Sequence, residues 1–155
     1  VTADMRPVII APIAKDPLLL TETWEQLKQA INRSYFFEAA NGLVQLSDTS
    51  HIDEVMLPSY ATVRQAISGL EPGGFENWVQ TIFSDLQTAH ASVMVARQMA
   101  LLILMVLEAG QSAFSDQPKT IAAINHARTV SELKATLAMI AQRQSRAPHR
   151  SSTLC

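Results

Sequence analysis

An all-α fold, a single-domain bundle of about six to seven helices around an apolar central helix, is what three features of the sequence predict. First, 48% of the 155 residues are hydrophobic, only 6% are aromatic, and Gly (5) and Pro (7) are sparse, a mixture that favours helices over sheets. Second, apolar residues recur at helical spacing between capping residues through most of the chain. Third, the run Met99 to Leu107 contains no polar residue. A chain of this length buries about two-thirds of the surface its unfolded form exposes, so its core needs neither a disulfide nor a metal.

The elements divide into an apolar arm interrupted by prolines (1–20), a helical domain (21–144) and a disordered basic tail (145–155). In the arm, Pro7, Pro12 and Pro17 interrupt any long helix. Val8 to Ile10 reads either as a short strand or as an arm laid over the helices. A first helix is predicted from Thr21 or Thr23, with Trp24, Leu27 and Ile31 on its apolar face, stopping near Asn32-Arg33-Ser34. A second is predicted from Tyr35 to about Ser47, weakened by Gly42. Ile52, Val55 and Met56 read as a short helical stretch before Pro58, and Val63, Ile67 and Leu70 as a further helix. Glu71-Pro72-Gly73-Gly74 is the clearest loop.

Phe75 to about Thr88 is predicted as an amphipathic helix, followed by an apolar helix from about Ala91 to Ala109. His90-Ala91-Ser92 fits either a kink or a turn between them. Arg97 and Glu108 bracket ten uncharged residues, about 15 Å of helix, where a membrane span needs about 20 residues. Such a helix must be covered by other helices of this chain or of a partner. Gly110 suits a helix end, Pro118 the first turn of a short helix. Thr129-Val130-Ser131-Glu132 has the form of a capping box ahead of Leu133, Leu137 and Ile140, in a last helix ending near Gln144.

Net charge is −2, which gives no electrostatic case for binding nucleic acid. It hides an asymmetry, because every acid lies at or before Glu132, whereas Lys134, Arg143, Arg146 and Arg150 make the end of the chain basic. A lone Cys155 excludes an intramolecular disulfide and fits a reducing, cytoplasmic compartment. Val1 to Arg6 lacks the pattern of a signal peptide, and Val at position 1 suggests an alternative start, a processed chain or a fragment.

No catalytic set, metal site or cofactor site is expected. His51, His90, His126 and His149 share no ligand spacing, and no second pair completes a site around His51 and Glu54. Asp53 and Glu54 are adjacent and point about 100° apart on a helix. Gly73-Gly74 precedes a helix but lacks the Lys and Ser/Thr of a phosphate loop. Tyr35-Phe36-Phe37 cannot all be buried on one helix face, so this run is the expected partner interface. Alternatively Trp78, Phe83, Met94 and Met105 would line a pocket for a small apolar ligand. The six methionines read as core filler.

From about Leu86 to Gln144 the order of an apolar helix, an Asp-Gln-Pro loop and a helix carrying Ala127, Thr129, Glu132, Leu133 and Leu137 resembles the helical linker domain of AraC-type two-component response regulators. Gln29-Ala30-Ile31 with Phe36 to Ala40 extends the similarity upstream to about residue 24. Val8 to Ile13 with Asp16 to Leu19 is similar to the end of a receiver domain, but Ala11-Pro12 stands where a receiver has Lys-Pro, and no DNA-reading residue can be carried over. The resemblance implies an all-α spacer or dimerisation module. The expected function is therefore a non-enzymatic interaction module of a transcriptional or signalling regulator, which self-associates, as a homodimer, or docks on a protein partner. A helical sensor of a small apolar ligand is the alternative.

Overall fold

The computed structural model describes residues 8–10, 17–38, 43–45, 55–109 and 117–146. Among them six helices build an all-α bundle: α1 (Pro17–Phe36), α2 (Tyr60–Ser68), α3 (Phe75–Thr88), α4 (Val93–Glu108), α5 (Gln117–His126) and α6 (Val130–Arg146). Two three-residue strands, β1 (Val8–Ile10) and β2 (Leu43–Gln45), pair in parallel beside them, Val8 opposite Leu43 and Ile10 opposite Gln45. Helix α4 lies at the centre, against α6, α2, α5 and α1, and α3 packs on α6.

The amino-terminal half departs most from the sequence reading. Helix α1 begins at Pro17, within the expected arm. Proline is well placed there, since a first-turn N–H has no intrahelical partner to lose. The helix then runs through Asn32-Arg33-Ser34, which holds no breaker, and ends at Phe36. Glu38 takes a left-handed φ of 53° and turns the chain away. Among the described residues of 35–47 the expected second helix is not found: Tyr35 and Phe36 finish α1, and Leu43–Gln45 is extended. Val55 and Met56, expected as helical, lie in an irregular segment before Pro58, which biases Leu57, directly before it, away from the helical conformation. His51 to Glu54, Gly110, His149 and Cys155 lie outside the described residues.

From α2 onward the local chemistry is regular. The Ser59 hydroxyl accepts the Thr62 N–H at 3.2 Å, and the Ser92 hydroxyl accepts the Val95 N–H at 3.2 Å, capping α2 and α4. Between α2 and α3, Gly74 N–H donates to the Glu71 carbonyl at 2.9 Å, with Pro72 second and Gly73 third in the turn at φ 83°. That is the type II pattern, whose third residue must be left-handed. His90-Ala91-Ser92 proves to be a turn. Ala91 N–H donates to Leu86 O and His90 N–H to Gln87 O, with His90 at φ 58°, the paired bonds of a Schellman ending.

At α6 the capping box forms with a shift of one residue. Glu132 N–H reaches Thr129 Oγ1 at 3.3 Å, while the Glu132 carboxylate accepts the N–H of Arg128, at 2.7 Å, and not that of Thr129. The core behind these caps joins Val63 of α2, Val79 and Phe83 of α3, Ile103 and Leu104 of α4, and Leu133 and Leu137 of α6, all buried. Of the five methionines among the described residues only Met99 is buried; Met56, Met94, Met105 and Met139 are exposed, so core filler describes one of them.

Candidate functional site

Helix α1 is amphipathic in an inverted sense. At 3.6 residues per turn, Leu20, Trp24, Leu27, Ile31 and Tyr35 fall on one stripe about 80° wide. The residues turned toward the rest of the protein are instead Thr23, Gln26, Ala30, Arg33 and Ser34, all buried or half-buried. The apolar stripe is left facing outward: Leu20 is 61%, Trp24 57% and Tyr35 59% exposed, with Leu27 and Ile31 half-buried. Trp24, expected on a buried face, is therefore at the surface, because small Ala30 and Ser34 allow the other side of α1 to approach the body.

The helix is held by its carboxy-terminal end. Phe36 and Phe37 meet edge to face, ring centroids 5.2 Å apart, inside the core. The Arg97 guanidinium of α4 stands 5.9 Å from the Phe36 ring, Arg33 Nη2 faces His90 Nδ1 across the α3–α4 turn, and Ser131 Oγ donates to the Glu38 carboxylate at 2.6 Å. Burial takes the Arg33 guanidinium below its ordinary pKa. No residue between Pro17 and Gln29 whose side chain is described is buried.

Helix α4 carries a second outward stripe. Its inward face is Ala96, Met99, Ala100, Ile103 and Leu104, all buried. On the opposite face Met94 is 65% and Met105 57% exposed, with half-buried Leu101 between them. The nearly all-apolar helix is thus enclosed on one side and open on the other.

The expected site residues divide accordingly. Of the Tyr35-Phe36-Phe37 run only Tyr35 is available to a partner; Phe36 and Phe37 are internal because α1 ends there and its last turn enters the core. The expected ligand pocket is not assembled: Phe83 is part of the core, Trp78 lies half-buried beside Phe75 with ring centroids 6.1 Å apart, and Met94 and Met105 face out. A groove of about 260 Å³ does run between α3 and α6, lined by Phe75, Glu76, Val79, Lys134 and Ala138. Lys134 Nζ donates to Gln80 Oε1 across it at 2.7 Å. The groove is open to solvent and two of its polar groups, Lys134 and Gln80, are paired with each other, unlike a ligand site with several convergent free donors and acceptors.

His90 and His126 are both exposed, and among the described residues no three His, Cys, Asp or Glu side chains gather as metal ligands would. No described helix is long and apolar enough to cross a membrane. Leu20 was missed by the sequence reading, which placed it in the arm. Its signal was present in the 4-3-4 spacing of Leu20, Trp24, Leu27 and Ile31. No protein-family model, curated protein or solved structure matches the chain.

Proposed function

We propose that this protein is a non-enzymatic helical interaction module whose principal contact is with itself, serving as a dimerisation or spacer element of a transcriptional or signalling regulator. The observation that carries the reading is the outward placement of Leu20, Trp24, Tyr35, Met94 and Met105, each more than half exposed. Monomeric proteins rarely leave contiguous apolar patches larger than a few hundred Å² in water, and larger ones mark interaction sites. The resemblance of the segment ending in Ala127, Thr129, Glu132, Leu133 and Leu137 to AraC-type linker domains supports the regulatory assignment. No charge excess offers a direct route to nucleic acid.

Sedimentation equilibrium of the full chain tests this. A weight-average mass that rises from monomer toward dimer between about 1 and 500 µM is expected. A mass that stays monomeric across that range overturns the proposal.

A further inference from the structure

We infer that the outward stripe of α1 is the dimerisation seam, pairing antiparallel with the same stripe of a second copy. The inference rests on the self-association reading and names its surface. Leu20, Trp24, Leu27 and Ile31 alternate at four- and three-residue steps, the spacing of a two-helix seam. Under a two-fold axis passing between residues 25 and 26, Leu20 meets Ile31 of the second copy and Trp24 meets its Leu27, so the one large side chain of the stripe faces a smaller one and the outer layers pair aliphatic residues of equal size. A parallel pairing would instead stack Trp24 on Trp24.

Charge favours the same arrangement. The stripe itself carries none, and on one flank Glu25 and Lys28 form an ion pair of 2.6 Å with both side chains about half exposed. Antiparallel pairing sets Glu25 of one copy about two residues, or 3 Å along the axis, from the level of Lys28 of the other. Each Glu25 can then reach the Lys28 of the other copy as well as its own, with the two Glu25 at neighbouring levels between the two lysines.

With Leu20 and Trp24 exposed and Leu27 and Ile31 half-buried, the stripe offers a small contact area against the roughly 1,200 Å² at which stable interfaces begin. The seam therefore gives a weak, reversible dimer. Leu20 and Trp24, more than half exposed on the free chain, gain apolar cover in such a pair.

The test is sedimentation equilibrium of the full chain carrying Cys155→Ser, compared with Trp24→Lys and, as a second variant in the first turns, Leu20→Lys. Both sites are exposed, and circular dichroism reports whether the helices are retained. The seam requires dimerisation to weaken at least tenfold in each folded variant and to persist in Met139→Lys, on the far helix α6. Orientation is read by mild oxidation: Leu20→Cys with Ile31→Cys should give a covalent dimer, and Leu20→Cys alone should not. Dimers that survive both lysine substitutions overturn the seam while leaving self-association standing. Linkage through Leu20→Cys alone overturns the antiparallel arrangement. A parent chain that is monomeric up to about 500 µM removes both the seam and the reading beneath it.

Discussion

Arg97 ties three parts of the bundle together through Phe36: its guanidinium stands 5.9 Å from the Phe36 ring centroid while its Nη2 donates to the Ala127 carbonyl at 2.9 Å. Helix α4 thereby holds the end of α1 and the α5–α6 turn at once. The arrangement is incomplete, since Arg97 Nε is buried without a hydrogen-bond partner. Arg97→Ala should lower stability by about 1.5–3 kcal/mol, because it leaves the Ala127 carbonyl unpaired and uncovers the ring. Arg97→Met, which still covers Phe36 and removes the orphaned donor, should cost less than Arg97→Ala. Urea unfolding of the three proteins decides it, and equal midpoints for Arg97→Ala and the parent would show that the contact anchors nothing.

The shifted capping box at α6 makes a second prediction. Thr129→Ala removes the acceptor for Glu132 N–H and should cost about 1 kcal/mol. Glu132→Ala frees the Arg128 N–H, an exposed donor that water can satisfy, and should cost less. If the two hydrogen bonds act as one unit, the double variant will lose less than the sum of the single losses. Thermal unfolding monitored by circular dichroism measures all three.

How much of this was legible in the sequence depended on whether local chemistry or tertiary contact decided the outcome. Ser59, Ser92 and Thr129 cap helices by their own side chains, and Pro72-Gly73 makes its own turn, so the carboxy-terminal two-thirds could be read residue by residue. The stretch from Pro17 to Gln45 could not. Periodicity identified an apolar stripe on α1 but not its direction, and a stripe ordinarily faces the core. Here the small Ala30 and Ser34 face inward, and Phe36 and Phe37 at the helix end supply its apolar anchorage. The same limit applied to α4: the unbroken apolar run from Met99 to Leu107 announced a core helix, yet nothing local distinguished buried Ile103 from exposed Met105.

His90 offers a test of the turn between α3 and α4. It occupies the left-handed position of a Schellman ending with φ 58°, where a Cβ is unfavourable and glycine is the usual residue. His90→Gly should therefore raise stability by about 0.5–1 kcal/mol, after a small loss from the exposed contact with Arg33. His90→Ala keeps the Cβ and should give no such gain. Should glycine prove no better than alanine in urea melts, the left-handed backbone is not costing the native state anything.

The two faces of α4 can be told apart by substitutions two residues from each other. Ile103 is fully buried and Met105 is 57% exposed. At low protein concentration Ile103→Ala should cost about 2–5 kcal/mol, because a cavity remains inside a packed core, whereas Met105→Ala should change stability by less than about 0.5 kcal/mol. The contrast gains meaning when the melts are repeated at rising concentration. Association that covers Met105 stabilises the parent by mass action and makes its melting temperature concentration-dependent. The cost of Met105→Ala would then grow with concentration, while that of Ile103→Ala would keep its large intramolecular part throughout. A Met105→Ala effect that is small and constant at every concentration would assign the contact surface to α1 alone.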